Sequence, residues 1–340
     1  MTVAETSAAE TSAAETSDDA FAGIAAQDVA LATLRRALEE DRLASAYLFE
    51  GPSGVGKGRT ALALARAVLG EAAWPRVSAG KHPDVRTFGP RDEGARNIKV
   101  AFLREEILPY AEFAPFEGSA AFLIFPEVDV SFPQHHAEAA NAILKTLEEP
   151  KRGVHFVLLS ERPERLLPTI RSRCQRLRFR RLPDAVLEDV LAREGIDDAG
   201  VRAAAIALAD GRADRALHLA EEGTAATLLE LALRVDDAVS QARPGLLVDV
   251  AEELAKSDEL ALALDTVQLF YRDVAAAAAG LADDRLRFRH AAAEVRARAK
   301  VGARVASERV ALVQQALADL EANANKQVTL DALVHRMRAA

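Results

Sequence analysis

The 340-residue sequence predicts an α/β domain built on a five-stranded parallel sheet, followed by an all-helical half. Three observations carry this. Five short runs, at 46–49, 85–88, 121–125, 154–160 and 175–179, are separated by helix-like or loop sequence, as in a parallel sheet covered on both faces. A glycine-rich loop joins the first run to a helix-like stretch. After Leu182-Pro183 no convincing strand is left, only segments rich in Ala, Leu, Arg and Glu divided by Gly195, Gly211, Gly223, Pro244-Gly245 and Gly280.

Taken in order, residues 1–19 hold the five-residue repeat AETSAAETSAAETS, whose small and polar side chains cannot offset their ordering entropy, so a disordered tail is expected. A helical pattern starts at Phe21, with Leu31, Leu34 and Leu38 at spacings of three and four, and ends near Asp41. Ala46, Tyr47, Leu48 and Phe49 suit a buried strand. The loop that follows, EGPSGVGKGRT, has glycines at Gly51, Gly54 and Gly56 and a lysine at Lys57, and it opens onto a helix over 60–69 with Leu62, Leu64, Ala65 and Leu69 on one stripe. Farther on, Ala140, Ile143, Leu144 and Leu147 share one face of a helix over 137–149 that Pro150 stops. In 175–180, Leu177 and Phe179 alternate with Arg176, Arg178 and Arg180, which predicts a strand with an arginine face turned to solvent. A first helical bundle ends near Gly223, and a second runs from 224 to 340.

Half of the residues are apolar, enough for a real core. No apolar run approaches the roughly 20 residues that span a bilayer, and no basic segment precedes an apolar one at the N-terminus, so a soluble, cytoplasmic protein with no membrane partner is expected. Cys174 is the only cysteine, which excludes an internal disulfide and a multi-cysteine zinc site. A net charge of −9 argues against a free-standing DNA binder.

The loop is the phosphate-cradle layout. Glycines let successive backbone N–H groups turn inward, a helix N-terminus adds positive potential, and a lysine reaches the outer phosphates. The pattern then requires Ser or Thr, whose hydroxyl is a magnesium ligand, and this sequence has Gly58. At the end of the third run, where such ATPases carry an aspartate for magnesium and a glutamate for the attacking water, Pro126 and Glu127 stand, with Asp129 two positions beyond. Arg173, just before the fifth run, is expected at the rim of the sheet, where a rigid guanidinium has the reach to meet a phosphate bound to a neighbouring chain.

The segments AYLFEGPSGVGK, KHPDV, AEAANAILKTLEEP, ERPERLLPTIRSRCQRLRF, GRADRAL and LEANANKQVTLDALV together resemble the bacterial clamp-loader family of the AAA+ ATPases, from about Phe21 onward. Residues 143–150 and 172–174 are the most specific pieces. The resemblance implies an AAA+ domain over 20–182, a helical lid over 183–223 and a helical collar over 224–340 that oligomerises through about 317–334. It implies a degenerate nucleotide site of Gly51, Gly54, Gly56, Lys57, Glu127, a γ-phosphate-sensing Ser160 and a second sensing arginine, Arg215. It makes Arg173 an arginine finger acting in trans. The implied partners are gamma/tau-like motor and delta-like subunits in a hetero-oligomeric ring within a replicative polymerase holoenzyme, with the sliding clamp and primer-template DNA reached through that complex. The four zinc-binding cysteines of many relatives are missing from 70–84, so no zinc is expected.

With two magnesium ligands lost, intrinsic ATP hydrolysis is expected to be negligible and no cofactor is required; weak ATP or ADP binding through Lys57 and the loop amides stays open. An active AAA+ ATPase is the competing reading, favoured by Lys57, Glu127, Ser160 and Arg215 and opposed by Gly58 and Pro126. A small-molecule kinase leaves Arg173 and the helical half without a role. The basic run Arg285, Arg287, Arg289, His290, Arg296, Arg298, Lys300 and Arg304 reads as a solvated face rather than a DNA contact, since no aromatic series accompanies it. His82, His135, His136 and His155 show no metal-ligand spacing. Trp74 is expected in a loop, and Cys174 as a small buried side chain.

Overall fold

The computed structural model describes residues 20–89, 97–132, 137–241 and 243–340; the predicted tail over 1–19 and the histidines His135 and His136 lie outside them. The chain divides into two compact units, Met1–Val186 and Leu187–Ala340.

The first unit is a five-stranded sheet in the order β2-β3-β4-β1-β5, formed by β1 (Ala46–Glu50), β2 (Val85–Thr87), β3 (Ala121–Phe125), β4 (Val154–Ser160) and β5 (Gln175–Arg178), with every neighbouring pair parallel. Alternate side chains go to opposite faces, as the pleat requires. Tyr47, Phe49, Phe122, Val157, Leu159 and Leu177 pack under α1 (Asp28–Glu39) and α2 (Lys57–Leu69). Leu48, Leu123, Phe125, Phe156 and Leu158 pack on the other side, against Ala140, Ile143 and Leu147 of α3 (Ala137–Glu148) and Leu103 and Ile107 of a short π-helical turn. Both faces are therefore buried, which is why the strands read as nearly unbroken apolar runs.

Three expectations shift. The pattern starting at Phe21 becomes a regular helix only at Asp28. The helix after the glycine loop starts at Lys57 rather than Thr60, so Lys57 and Gly58 sit in its first turn. Trp74 opens a short helix, Trp74–Ser78, with the Arg66 guanidinium 5.1 Å above its ring.

Among its described residues the second unit holds helices and no strand. Its main helices are α5 (Ala199–Ala209), α6 (Ala213–Ala220), α7 (Thr224–Ser240), α8 (Pro244–Lys256), α9 (Leu260–Ala278), α10 (Ala292–Arg298), α11 (Ala303–Glu321) and α12 (Lys326–Ala339), while α4 (Asp184–Arg193) runs across the division. A buried polar pin ties five of them. Arg309 on α11 donates Nη1 to Asp236 Oδ1 on α7 (3.1 Å) and to the Tyr271 hydroxyl on α9 (3.3 Å), and Nε to the Met337 carbonyl on α12 (3.1 Å). Tyr271 donates to Asp236 (2.8 Å), and Arg298 on α10 reaches its other oxygen at 3.3 Å.

Part of the basic run is built into this unit rather than forming a free solvated face. Arg287 caps the end of α5 at the carbonyls of Ile206 and Ala207, Arg296 pairs with Asp283 and reaches the carbonyl of Leu281, and Arg298 is only 17% exposed among Asp236, Asp237 and Glu294. No helix among the described residues is long and apolar enough to cross a membrane.

Candidate phosphate cradle and arginine rim

The C-terminal ends of β1, β3 and β4, neighbours in the sheet, bring the glycine loop, residues 126–129 and Ser160 to one rim. The loop is fixed at both ends. Gly51 donates its N–H to the Ser160 carbonyl (3.1 Å) and lies so close to the end of β5 that a Cβ would stand 2.3 Å from the Phe179 carbonyl oxygen, which leaves room for glycine alone. Gly56, at φ 99°, turns the chain into α2 in the left-handed region. Buried Gln27 ties the loop to β5: its Nε2 donates to the carbonyls of Val55 (3.2 Å) and Arg180 (2.8 Å), and its Oε1 accepts from Arg180 N–H (2.9 Å). Lys57, 7% exposed, folds back and donates Nζ to the carbonyls of Gly51 (2.6 Å) and Pro52 (2.5 Å).

The loop, its lysine and the N-terminus of the 13-residue α2 fit a phosphate group. They do not fit its magnesium. Gly58 offers no side-chain oxygen, although a Cβ there would meet only Leu159 Cδ1 at 3.9 Å, an ordinary contact. Thr60 does not substitute for it, because its hydroxyl is turned back to the Gly56 carbonyl (2.9 Å). Pro126 follows β3 and provides no ligand. Glu127 is half-buried, and its carboxylate has no hydrogen bond or ion pair among the described residues.

Ser160, fully buried, donates its hydroxyl to Asp129 Oδ1 (2.9 Å), and the N–H of Glu161 approaches the same oxygen at 3.2 Å. The polar residue expected to sense a γ-phosphate is thus occupied within the chain by an acid that stands out in the sequence only by its spacing from Pro126. A second acid escapes the sequence patterns altogether. Glu50, the 5%-exposed last residue of β1, pairs with Arg176 (Nε–Oε1 2.5 Å, Nη2–Oε2 3.0 Å), so Arg176 is not merely solvated. A carboxylate ending an otherwise apolar strand is the signal that could have found it.

Cys174 is half-buried rather than fully buried as expected; burial first, and the negative charge of Glu50 second, push its thiol up to about 12, which leaves little thiolate at neutral pH. Among the described residues no three His, Cys, Asp or Glu side chains group as metal ligands.

Arg173 lies at the opposite rim. It precedes β5, and since Tyr47 pairs with Gln175, Arg173 stands level with the residue before β1. Six residue steps along β1 and just beyond its ends separate that level from Gly51, roughly 20 Å at 3.3 Å per residue. Arg173 is held by Glu148 at the end of α3, through Nε (2.6 Å) and Nη2, and by the Thr169 carbonyl through Nη1 (2.9 Å). Arg215 belongs to the second unit, on α6, where Nη1 donates to Asp265 (3.1 Å).

Residues 26–183 match the family model described as DNA polymerase III, delta subunit. The chain is 36% identical over 173 residues to DNA polymerase III subunit delta' of Bacillus subtilis, covering 48% of this chain and 50% of that protein. It is 36% identical over 142 residues to the subunit delta' of Pseudomonas aeruginosa (38% and 42%) and 30% identical over 260 residues to subunit tau of Bacillus subtilis (71% and 45%). The chain spans about half the length of these curated relatives. The parallel sheet in the order β2-β3-β4-β1-β5 and the glycine loop after β1 give the first unit a P-loop-type α/β fold, and it is over residues 26–183 of this unit that the chain is similar to the DNA polymerase III delta subunit family.

Proposed function

We propose that this chain is a delta-prime-type clamp-loader subunit that does not itself hydrolyse ATP and completes the ATP site of an adjoining motor subunit with Arg173. One observation carries the reading: the cradle keeps its loop and Lys57, while positions 58 and 126 hold a glycine and a proline with no side-chain oxygen for a metal. Magnesium neutralises charge that develops on the transferred phosphoryl group, so its loss removes several kcal/mol of transition-state stabilisation. The position of Arg173 supports action in trans, since its own loop lies roughly 20 Å away across the sheet.

The partners on this reading are gamma/tau-like motor and delta-like subunits, with the sliding clamp and primed DNA engaged by the complex. Residues 183–223 then act as the lid and 224–340 as the collar. Any nucleotide held at Lys57 and the loop amides is bound weakly and without its metal.

Two assays test this. Purified chain given Mg-ATP should turn over no faster than its Lys57→Ala variant, and turnover above that control would restore the motor reading. Arg173→Ala in the reconstituted loader should lower clamp- and DNA-stimulated ATP turnover. An arginine finger is worth about 10³ to 10⁵ in rate at its site, so a wild-type rate would end the proposed role.

A further inference from the structure

We propose that Glu148 is the positioning residue for Arg173, fixing the guanidinium in the pose from which it meets a neighbour's phosphate; this rests on the reading of Arg173 as a finger in trans. The two most family-specific segments of the sequence, 143–150 and 172–174, meet at this pair. Glu148 takes Nε and Nη2 of Arg173 on a single oxygen, Oε1, while Thr169 O takes Nη1. The backbone is anchored as well, since Arg173 N–H donates to the Ile170 carbonyl (3.1 Å). Three of the five guanidinium N–H groups are thereby engaged from two sides. One N–H on Nη1 and one on Nη2 remain, and two such groups in a planar fork suit a phosphate.

The place of Glu148 in its helix points the same way. It closes α3, with Glu149 beside it and Pro150 next, and the C-terminus of a helix is where a carboxylate is disfavoured by the macrodipole. Helix stability therefore does not select an acid there; the arginine gives it a purpose. A carboxylate so close also offsets part of the cation's pull on phosphate, so the pair favours the reaction only through geometry. Geometry is a large lever, because misplacing a reacting group by about 1 Å costs on the order of 100-fold.

The test is a cycle in the reconstituted loader, with clamp- and DNA-stimulated ATP turnover and melting temperature measured for Glu148→Ala, Glu148→Gln, Arg173→Ala and the double Glu148→Ala/Arg173→Ala. Glu148→Ala should lower kcat about 10- to 100-fold at the site that Arg173 completes, the range of losses when orienting partners are removed. KM for ATP should stay unchanged. Glu148→Gln, which keeps an acceptor oxygen, should recover most of the rate, and the double variant should be no slower than Arg173→Ala alone. A Glu148→Ala rate at or above wild type overturns the proposal, as does a further loss in the Arg173→Ala background, which would mark a structural role. If Arg173→Ala itself turns over at the wild-type rate, the underlying reading of Arg173 fails, and this inference with it.

Discussion

Removing the Arg309 side chain tests how the second unit is held together. Arg309 is 4% exposed, and its guanidinium serves three partners on three other helices: Asp236, Tyr271 and the Met337 carbonyl. Breaking a buried ion pair by deleting one partner costs about 3 to 5 kcal/mol, because the other charge is left behind in a poor solvent. Here Asp236 keeps the Tyr271 hydroxyl at 2.8 Å and Arg298 at 3.3 Å, which places Arg309→Ala at the low end, about 3 kcal/mol. The orphaned Met337 carbonyl adds about 1 kcal/mol. Urea unfolding followed by far-UV circular dichroism should show the midpoint for the helical half falling by roughly 1 to 4 M, taking a slope of about 1 to 3 kcal/mol per M. Adding Arg298→Ala should cost more than the two single losses summed, since Asp236 then keeps only a neutral donor. A loss below about 1 kcal/mol for Arg309→Ala, or strict additivity with Arg298→Ala, would refute the pin.

Three further outcomes are expected. In the double variant Gly58→Ser/Pro126→Asp, nucleotide binding by the isolated chain should become sensitive to EDTA, because a Cβ at 58 meets nothing closer than 3.9 Å and both lost oxygens are restored; EDTA-sensitive binding by the wild type would contradict the absence of a metal grip. Buried Asp84 accepts the N–H groups of Phe116 (2.5 Å), Glu117 (3.0 Å) and Gly118 (2.8 Å); burial raises its pKa, but these bonds outweigh it and the net shift is downward. Asp84→Asn should therefore cost about 3 kcal/mol at pH 7, in line with losing charged hydrogen bonds. Because the folded pKa lies below the unfolded one, this advantage is complete above about pH 4 and disappears as pH falls through the folded value; a gap that narrowed from pH 4 to pH 7 would reverse the sign. Finally, iodoacetamide at pH 8 should label Cys174 far more slowly than a free thiol until the chain unfolds, and rapid labelling of the native protein would show that its thiol is not held in the protonated form.

The fold is largely readable in the sequence because both faces of the sheet are buried. That condition turns strands into apolar runs, and Val154–Ser160 and Ala121–Phe125 can be bounded from the sequence alone. Helix starts are harder: Lys57 and Gly58 begin α2, and neither is apolar enough to extend the stripe that marks it. Site residues divide along the same line. Gly51, Gly56 and Lys57 follow from a local pattern, since neighbouring residues form the cradle. Gln27, Glu50, Asp129 and Glu148 act across gaps of 25 to 153 residues, and no periodicity records which distant polar group will meet them. The basic run misleads for a related reason: charge along a sequence does not tell that Arg298 will be enclosed by Asp236, Asp237 and Glu294.

The placement of Arg173 at one end of the sheet and the glycine loop at the other gives the first unit a direction. Subunits that each reach forward with an arginine and receive one from behind form a head-to-tail series, which keeps extending unless rotation closes it or a member interrupts it. Under the proposed reading, this chain can hand an arginine to the next subunit while having no working nucleotide for a previous one to act on. It would therefore stand as a terminus of that series, and the number of firing sites would be set by the motors that come after it.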